Sequence, residues 1–253
     1  MASVNVLNTD GSTAKSIELP SAFSEAVRSD LIARAVIAEN TRRLQPQAHY
    51  VLAGMQTTAR YYGAMNSYRT GRHMGIAIRP REKLGGGVQG KVRRIPSAVK
   101  GKRAHPHLVE KRIVERINAK EYQKAIRSAI AAAKQPLVVS SDMESIAKTK
   151  DVIKMLNNLK LTQQLERGRE KTLRKGRRRL SRQRIYKKSV LIVVGTDKGI
   201  IKAARNIPGV DVCNVKRISV GVLAPGGKPG RQTLWSEDAF SRLDSEISGM
   251  KLR

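Results

Sequence analysis

The fold class of this chain is indicated by residues 190–206, which read VLIVVGTDKGIIKAARN. The first five residues, Val190–Val194, form a continuous aliphatic run, and such a run is typical of a strand that is buried on both faces. Gly195 follows directly, and a helix is predicted from about Lys198 to Asn206. A buried strand that leads through a glycine into a helix is the repeating unit of α/β proteins with a parallel sheet.

The same alternation continues toward the C-terminus. Pro208-Gly209 predicts a turn into a strand at Val210–Val215, and Arg231–Trp235 predicts a further strand. Ser236 is followed by two acidic residues, which is typical of the first turn of a helix. The C-terminal part of the chain therefore extends the strand and helix pattern.

Toward the N-terminus the pattern predicts three more strands and four helices. The strands are Val4–Leu7 and Ser16–Leu19, joined at Asp10-Gly11, and Leu137–Val139. The helices run from Ser29 or Asp30 to Arg43, from Asn118 to Ala133, from Thr149 to Leu159 and from Thr162 to Arg174. The first three begin with a predicted capping residue. The predicted fold is α/β, a single three-layer domain with a mostly parallel sheet, formed by residues 1–43 and 108–253.

Residues 44–107 interrupt this pattern for 64 residues and predict an inserted basic arm without a core of its own. The segment holds nine glycines, one acid (Glu82) and twelve bases: Arg60, Arg69, Arg72, Arg79, Arg81, Lys83, Lys91, Arg93, Arg94, Lys100, Lys102 and Arg103. Glycine entropy and like charges favour disorder in water, whereas the phosphates of a nucleic acid would order such a segment. A solvated linker between two domains is the alternative, although linkers seldom contain so few acids.

A second basic block lies at residues 167–188 and holds twelve bases against the single acid Glu170. The candidate RNA-binding residues of this block are Arg174, Lys175, Arg177, Arg178, Arg179, Arg182 and Arg184. Arginine-rich segments of this kind order on RNA, because guanidinium groups match pairs of phosphate oxygens. A nuclear localisation signal or a solvated face is the alternative. The formal net charge of +30 and the sequence pI of about 11.0 also point to a nucleic-acid partner.

The motifs that could support catalysis are incomplete. Gly85, Gly90 and Lys91 fit part of a phosphate-binding loop, but Val92 stands where the metal-binding Ser or Thr is required. Gly195 lies at a strand end where α/β proteins often bind ligands, but it lacks the further glycines of a dinucleotide site, and Asp197 is interpreted as a helix cap. We therefore predict that the chain is not an enzyme and uses no cofactor.

The remaining residues with metal or redox chemistry predict no site either. His105 and His107 lie close together without a third ligand nearby, so we predict no metal site and interpret His105 as an RNA contact. Cys213 is the only cysteine and is predicted to be a buried structural thiol. No secretory signal precedes the first strand, and the apolar runs are too short to cross a bilayer. The sequence thus predicts a soluble intracellular protein without a membrane partner.

Three segments together resemble the large-subunit ribosomal protein L4 family. They are Lys100–Pro106 (KGKRAHP), Val190–Val212 (VLIVVGTDKGIIKAARNIPGVDV) and Leu223–Trp235 (LAPGGKPGRQTLW). Residues 52–60 and 118–133 are also similar to the family, and the chain length is similar to that of its archaeal branch. The resemblance implies an α/β domain on the outer side of the large subunit. It further implies an internal arm that passes through ribosomal RNA to the nascent-peptide exit tunnel.

The resemblance also assigns a tip to this arm. The glycine-rich basic signature of the family matches residues 69–75, RTGRHMG, so Arg69, Arg72 and His73 are the candidate tunnel residues. The implied partners are large-subunit rRNA, neighbouring ribosomal proteins and the nascent peptide, and the implied location is the cytoplasmic ribosome. Two other functions are weighed against this structural role: an RNA-modifying enzyme with a cofactor-binding α/β domain, and a nucleoid-packaging protein.

Overall fold

A computed structural model describes residues 3–63, 72–85, 89–133, 136–173, 184–250 and 252. Its chain divides into two compact units. Met1–Arg43 and Val114–Arg253 form one, which we call the sheet unit, and Leu44–Ile113 form the other, which we call the inserted unit.

The described strands and helices follow in chain order. The strands are β1 (Ser3–Leu7), β2 (Thr13–Glu18), β3 (Arg81–Lys83), β4 (Gln89–Val92), β5 (Leu137–Val139), β6 (Lys171–Leu173), β7 (Arg184–Tyr186), β8 (Val190–Val194), β9 (Asp211–Asn214) and β10 (Gln232–Ser236). The helices are α1 (Ser29–Arg42), α2 (Ala119–Ala131), α3 (Thr149–Asn158), α4 (Thr162–Arg169), α5 (Ile200–Ala204), α6 (Val220–Leu223) and α7 (Glu237–Gly249). Short 3₁₀ turns lie at Ser21–Ser24, Ser141–Ser145, Val215–Arg217 and Pro225–Gly227.

Six strands of the sheet unit form a mixed sheet in the order β2-β1-β5-β10-β8-β9. β1 and β2 are antiparallel, and the turn between them contains Gly11 at a φ of +86°, a conformation that favours glycine. The pairs β1–β5, β5–β10, β10–β8 and β8–β9 are parallel. The predicted α/β class is confirmed, and the antiparallel hairpin at one edge makes the sheet mixed.

The core lies on both faces of this sheet because successive side chains of a strand point in opposite directions. β8 is buried at every residue. Val190, Ile192 and Val194 pack in a cluster with side chains of α3, α4 and α5. Leu191 and Val193 pack in a second cluster with side chains of α1, α2 and α7. The unbroken aliphatic run at 190–194 is thus explained by helices on either side of the strand.

Polar contacts join α1 to α2 near the point where the sheet unit is interrupted in sequence. The buried carboxylate of Glu39 accepts hydrogen bonds from the Tyr122 hydroxyl at 2.8 Å and from the backbone N–H groups of Val220 and Gly221 at 2.8 and 2.9 Å. Burial and the nearby Glu39 charge raise the pKa of Tyr122 above its ordinary value. A further bond runs from the Glu115 backbone N–H to the Thr41 Oγ1 at 3.1 Å.

The helix starts differ in detail from the predicted caps. α1 begins at Ser29 and α3 at Thr149, so both residues lie inside the first turn. α2 follows Asn118 without a side-chain cap bond, and Glu121 pairs with Arg34 at 3.4 Å. The predicted capping box is therefore wrong, because the glutamate that it requires pairs with an arginine on α1.

At the last helix the predicted cap is confirmed. Ser236 precedes α7, and its hydroxyl accepts the backbone N–H of Ala239 at 3.1 Å. Glu237 and Asp238 occupy the first turn, where acidic side chains complement the positive end of the helix dipole.

The predicted helix Thr162–Arg174 is too long. α4 ends at Arg169, and the next residues form β6, which pairs with β7 in an antiparallel hairpin. Glu170 turns to an extended conformation at the helix end, and its carboxylate pairs with Lys187. Each of these strands has only three residues, one of them basic, so they show too little apolar alternation to be detected in the sequence.

The inserted unit contains a second short hairpin, in which β3 and β4 are antiparallel. Arg60 extends it through a bridge to Arg81, with backbone N–H to O distances of 3.2 Å in both directions. The sequence pattern of this segment does not predict this hairpin. Ala59 and Gly63 alone are buried among the described residues of the unit, so backbone hydrogen bonds rather than a large apolar core organise it. Within the described ranges no helix is long and apolar enough to cross a bilayer.

Candidate nucleic-acid interface

The inserted unit presents most of its described basic side chains to solvent. Among the predicted binding residues of this unit, those that are exposed are Arg60, Arg72, Arg79, Lys83, Lys91, Lys100, Lys102 and Arg103, together with His73 and His105. Arg81, Arg93 and Arg94 are partly buried. The predicted binding residues thus separate into an exposed group and a group that also holds the unit together.

Arg93 is the clearest member of the second group. Its Nε lies 2.9 Å from the Glu82 Oε1, and its Nη1 donates to the Val99 carbonyl at 2.8 Å. The Arg93 side chain is 16% exposed and that of Glu82 is 27% exposed, so solvent screens this ion pair only in part. Arg93 therefore joins the hairpin to the segment that follows β4.

Arg81 and Arg94 make similar internal contacts. The Arg81 guanidinium donates to the Ala77 carbonyl at 3.3 Å, and the Arg94 guanidinium donates to the Met55 carbonyl at 3.3 Å. Arg94 has a φ of +68°, a conformation that is uncommon for a residue with a side chain. Direct RNA contacts of these three arginines stay predictions.

Beside the hairpin lies a cavity of about 510 Å³ with basic walls. The lining residues are Arg79, Lys91, Val92, Arg93, Ser97, Ala98, Val99 and Lys100, and no acidic residue is among these described residues. Arg79 donates from Nη1 to the Ser97 Oγ at 2.7 Å, which fixes its guanidinium. Three exposed cations and a hydroxyl therefore converge on one concave surface, which concentrates positive potential and suits a phosphate group.

The predicted tip is only partly described. Arg72 and His73 are exposed, and His73 and Gly75 both have positive φ, +58° and +67°. These values describe a tight turn that needs a glycine or a residue tolerant of the left-handed region. Arg69 lies outside the described residues.

The second basic block lies mostly outside the described residues as well. Arg174, Lys175, Arg177, Arg178, Arg179 and Arg182 are not described, whereas Arg184 lies on β7 and its backbone pairs with Leu173 on β6. The described ends of the block, residues 171–173 and 184–186, thus form a paired stem. The side chains of Lys187 and Glu170 make the ion pair that accompanies this stem.

The edge of the sheet where an α/β enzyme often binds its ligand is filled by the protein itself. The buried Glu144 carboxylate accepts hydrogen bonds from the Gly195 N–H at 2.9 Å, the Thr196 Oγ1 at 2.7 Å and the Ser236 Oγ at 2.7 Å. Burial raises the pKa of Glu144, but these hydrogen bonds outweigh it and hold the pKa below its ordinary value. The ionised carboxylate thus joins the ends of β8 and β10.

Gly195 leaves little room at this edge. A Cβ at this position would collide with the Asp238 carboxylate, and the Gly195 carbonyl already accepts from the Asn214 Nδ2 at 2.8 Å. Asp197 accepts from the Gly199 N–H at 3.0 Å and from the Ile201 N–H at 3.4 Å, at the start of α5. The polar groups here therefore satisfy one another and the backbone.

The thiol of Cys213 has the character of a core residue. Its side chain packs against the larger apolar cluster from a partly buried position, and burial raises its pKa to about 12. Because the thiolate is the reactive form, this thiol is unreactive at neutral pH.

Sequence reasoning missed two residues of the candidate interface. Ser97 carries no motif, and only the fold places its hydroxyl against Arg79. Glu82 stands out in the sequence only as the one acid of the segment, although a single acid among twelve bases is well placed to form an ion pair. A single acid among many bases is thus the one signal in the sequence that an arginine of this segment forms an internal ion pair.

Comparison with known proteins gives matches over nearly the whole chain. The statistical model of the ribosomal protein L4/L1 family matches residues 17–246. The protein named large ribosomal subunit protein uL4 of Archaeoglobus fulgidus is 40% identical, over 94% of this chain and 96% of the relative. Proteins of the same name from Methanospirillum hungatei and Methanococcus vannielii are 42% and 41% identical, each over 95% of this chain and 98% of the relative. The resemblance found in the sequence motifs is confirmed.

Proposed function

The chain belongs to the ribosomal protein L4/L1 family, and from this premise we propose that it is a structural constituent of the large ribosomal subunit that binds large-subunit rRNA. The relatives are named as proteins of that subunit. The observation that carries the RNA-binding part is the acid-free cavity of the inserted unit, where Arg79, Lys91 and Lys100 surround one concave surface. No catalytic role is proposed.

The division among the arginines supports a specific binding mode. Arg93 uses Glu82 and the Val99 carbonyl to fix the cavity wall, while Lys91 and Lys100 remain exposed on it. When RNA phosphates bind in the cavity, counterions condensed on the RNA are released, so the affinity for RNA falls as the salt concentration rises. The inserted unit therefore gains from RNA the stabilisation that a larger apolar core would otherwise provide.

The second basic block supplies a separate candidate RNA-binding segment, which belongs to the sheet unit. The stem of β6 and β7 closes the chain on either side of residues 174–183, which hold the arginine cluster Arg177, Arg178 and Arg179. We expect replacement of these three by glutamine to lower the log–log salt slope of RNA binding, by about 0.7–0.9 for each phosphate that is no longer neutralised. An unchanged slope would mean that the block is a solvated face.

The inserted arm also suits a role at the nascent-peptide exit tunnel, with Arg69, Arg72 and His73 at its tip. The midpoint of residues 44–107 is roughly 32 residues from either end, which allows a reach of up to about 100 Å for an extended chain. The hairpin shortens this reach. Deletion of residues 68–76 should alter passage of nascent peptides while most bases remain. A ribosome map with this tip on the solvent side would contradict the assignment.

The alternative, an RNA-modifying enzyme with a cofactor in the α/β domain, needs an open polar pocket at the carboxyl ends of the parallel strands. Glu144 accepts a hydrogen bond from the Gly195 N–H in that region, and the Asp238 carboxylate packs against Gly195. The structural role accounts for this closed edge, whereas the enzymatic role does not.

Sedimentation of the full chain from native extract tests the proposal. We expect it to travel with large ribosomal subunits and to resist a salt wash, whereas free protein would contradict the structural role. RNA binding at the cavity is tested by the triple variant Arg79→Gln, Lys91→Gln and Lys100→Gln, which should lower the salt slope of rRNA binding by about 2.

A matched triple variant, Lys150→Gln, Lys198→Gln and Lys216→Gln, removes the same charge from exposed positions of the sheet unit. It should leave the slope nearly unchanged. Equal effects of both triple variants would show that net charge, rather than the cavity, governs binding.

A further inference from the structure

The two units treat aromatic side chains in opposite ways. In the sheet unit Phe23, Trp235 and Phe240 pack ring against ring, with centroid separations of 5.5–6.4 Å. In the inserted unit the described tyrosines are exposed: Tyr50 by 57%, Tyr61 by 43% and Tyr62 by 45%. Aromatic residues make up only 4% of the chain, so two adjacent exposed rings in a basic segment need an explanation.

Tyr61 has one side covered by the chain itself. Gly63 is buried, and a Cβ added there would collide with the hydroxyl and ring atoms of Tyr61. The Tyr61 side chain therefore lies against the Gly63 backbone, and the absence of a side chain at residue 63 makes this position possible. The remaining surface of the ring accounts for its exposure.

Tyr62 has a cation on one side. The Lys83 Nζ lies 5.3 Å from the centre of the Tyr62 ring, within the range of a cation–π interaction. Because Lys83 belongs to β3, this contact ties the ring to the hairpin. Tyr62 nevertheless stays nearly half exposed, like Tyr61.

The backbone beside the two rings is held as well. Arg60 directly precedes Tyr61 and exchanges two backbone hydrogen bonds with Arg81 on β3. The tyrosines therefore follow a bridged residue and are presented next to the charges of Arg60 and Lys83. Each ring is held on one side, exposed on the other and flanked by a cation. Such rings suit unpaired nucleotides, because the bases can stack on the aromatic faces and the phosphates can contact the nearby cationic side chains.

We propose that Tyr61 and Tyr62 form a stacking platform for unpaired RNA bases, next to the cations Arg60 and Lys83 of the inserted unit. This inference rests on the proposed RNA-binding function and adds the substrate class, single-stranded rather than fully paired RNA. The binding free energy from stacking does not depend on salt concentration, whereas that from the phosphate contacts weakens as the salt concentration rises. The two contributions can therefore be measured separately.

The test uses the full chain with a single-stranded 12-nucleotide RNA that contains 2-aminopurine and with the corresponding blunt duplex. The double variant Tyr61→Leu and Tyr62→Leu should bind the single strand at least about fivefold more weakly, with an unchanged salt slope. Its affinity for the duplex should stay unchanged. Tyr61→Phe with Tyr62→Phe should retain single-strand binding, because the rings remain.

Tyr50→Leu is the matched control. Tyr50 is the more exposed ring of the same unit, and its hydroxyl accepts from the Gln56 Nε2 at 3.0 Å, with no cation placed over it among the described contacts. This variant should bind both RNAs like the wild type. Wild-type binding should also quench the 2-aminopurine fluorescence, a readout that needs no variant to fold.

The outcomes separate this inference from the function on which it rests. If the wild type binds neither RNA and shows no affinity for isolated large-subunit rRNA, the RNA-binding function fails. If it binds RNA with the expected salt dependence but without fluorescence quenching, the stacking platform is overturned and the function stands. Equal weakening on the single strand and the duplex would likewise overturn stacking, because the tyrosines would then support the basic surface.

Discussion

The sheet unit and the inserted unit are held together by different forces. In the sheet unit, two apolar clusters enclose a six-stranded sheet, and every residue of β8 is buried. In the inserted unit, Ala59 and Gly63 are the buried residues among those described, and a short hairpin is joined by backbone bonds and by the Arg93–Glu82 pair. Only the sheet unit therefore contains the apolar surface needed to fold without a partner.

The largest expected effect therefore concerns the core of the sheet unit. Phe240 is 1% exposed and contacts Phe23 and Trp235, so Phe240→Ala should lower the free energy of unfolding by about 3–5 kcal/mol. Chemical denaturation of the full chain measures this. Ile37→Ala, at a position that is 54% exposed on α1, should change it by less than about 0.5 kcal/mol. Similar destabilisation by both would contradict the described core.

The next effect concerns the buried carboxylate of the same unit. Glu144→Ala leaves the Thr196 and Ser236 hydroxyls without this acceptor and leaves the Gly195 N–H with only the Ser236 Oγ, 3.2 Å away. The variant should therefore cost about 1–3 kcal/mol. The pKa of Glu144 is lower in the folded protein than in the unfolded chain, where it is about 4.3. Glu144 therefore contributes to the free energy of unfolding at neutral pH. This contribution is lost as the pH falls below about 4.3 and through the lower pKa of the folded protein.

The stability of the Glu144→Ala variant should thus depend less on pH across this acidic range than that of the wild type. Urea titrations at several pH values would show it. Glu166→Ala, on the exposed side of α4, is the control and should keep the wild-type slope. If the stability of Glu144→Ala fell with decreasing pH as steeply as that of the wild type, other carboxylates would account for the acid dependence.

A smaller effect is expected for two cations of the inserted unit, Lys91 and Arg93. Lys91→Gln should lower the salt slope of rRNA binding by about 0.7–0.9, because Lys91 is an exposed cation of the cavity. Arg93→Gln should leave the slope nearly unchanged, because Arg93 is engaged by Glu82 and Val99. Titrations at four or more salt concentrations measure both. A reversed order would break the division between binding and structural cations.

The smallest effect is expected at Glu82. Glu82→Gln removes a partly exposed ion pair, whose contribution should be below about 1 kcal/mol. Faster amide hydrogen exchange in β3 and β4 of the RNA-free protein would report this loosening. Exchange in β8 should not change, and an effect there would mean that the hairpin pair also stabilises the sheet unit.

Much of the sheet unit could be predicted because its elements bury regular apolar patterns. The run at 190–194, the alternation of Val4 and Val6 in β1 and the helical spacing of Tyr122, Ala125 and Ile126 each reflect packing against a core. The helix caps were less predictable. Ser236 caps α7, whereas Asn118 makes no cap bond and Glu121 is taken by Arg34, a choice that depends on the neighbouring helix.

The candidate interface was predictable in composition but not in arrangement. Charge and glycine content predict which segment is the candidate for RNA binding, but twelve similar bases do not reveal that Arg93 fixes the cavity wall or that Ser97 orients Arg79. The hairpins of β3 with β4 and of β6 with β7 were missed for a related reason. Strands of three or four residues are too short to show a period in the sequence.

The bond between Thr41 and Glu115 has a consequence for how this chain tolerates change. It joins the residues on either side of the interruption inside the sheet unit, so the entry and exit points of the insertion are already close together. Closing the chain there adds little further loss of entropy, and this cost grows only slowly with the length of the loop. The segment between these points can therefore be lengthened, shortened or exchanged as a module. We expect a short Gly/Ser linker from Arg43 to Val114 to leave the sheet intact.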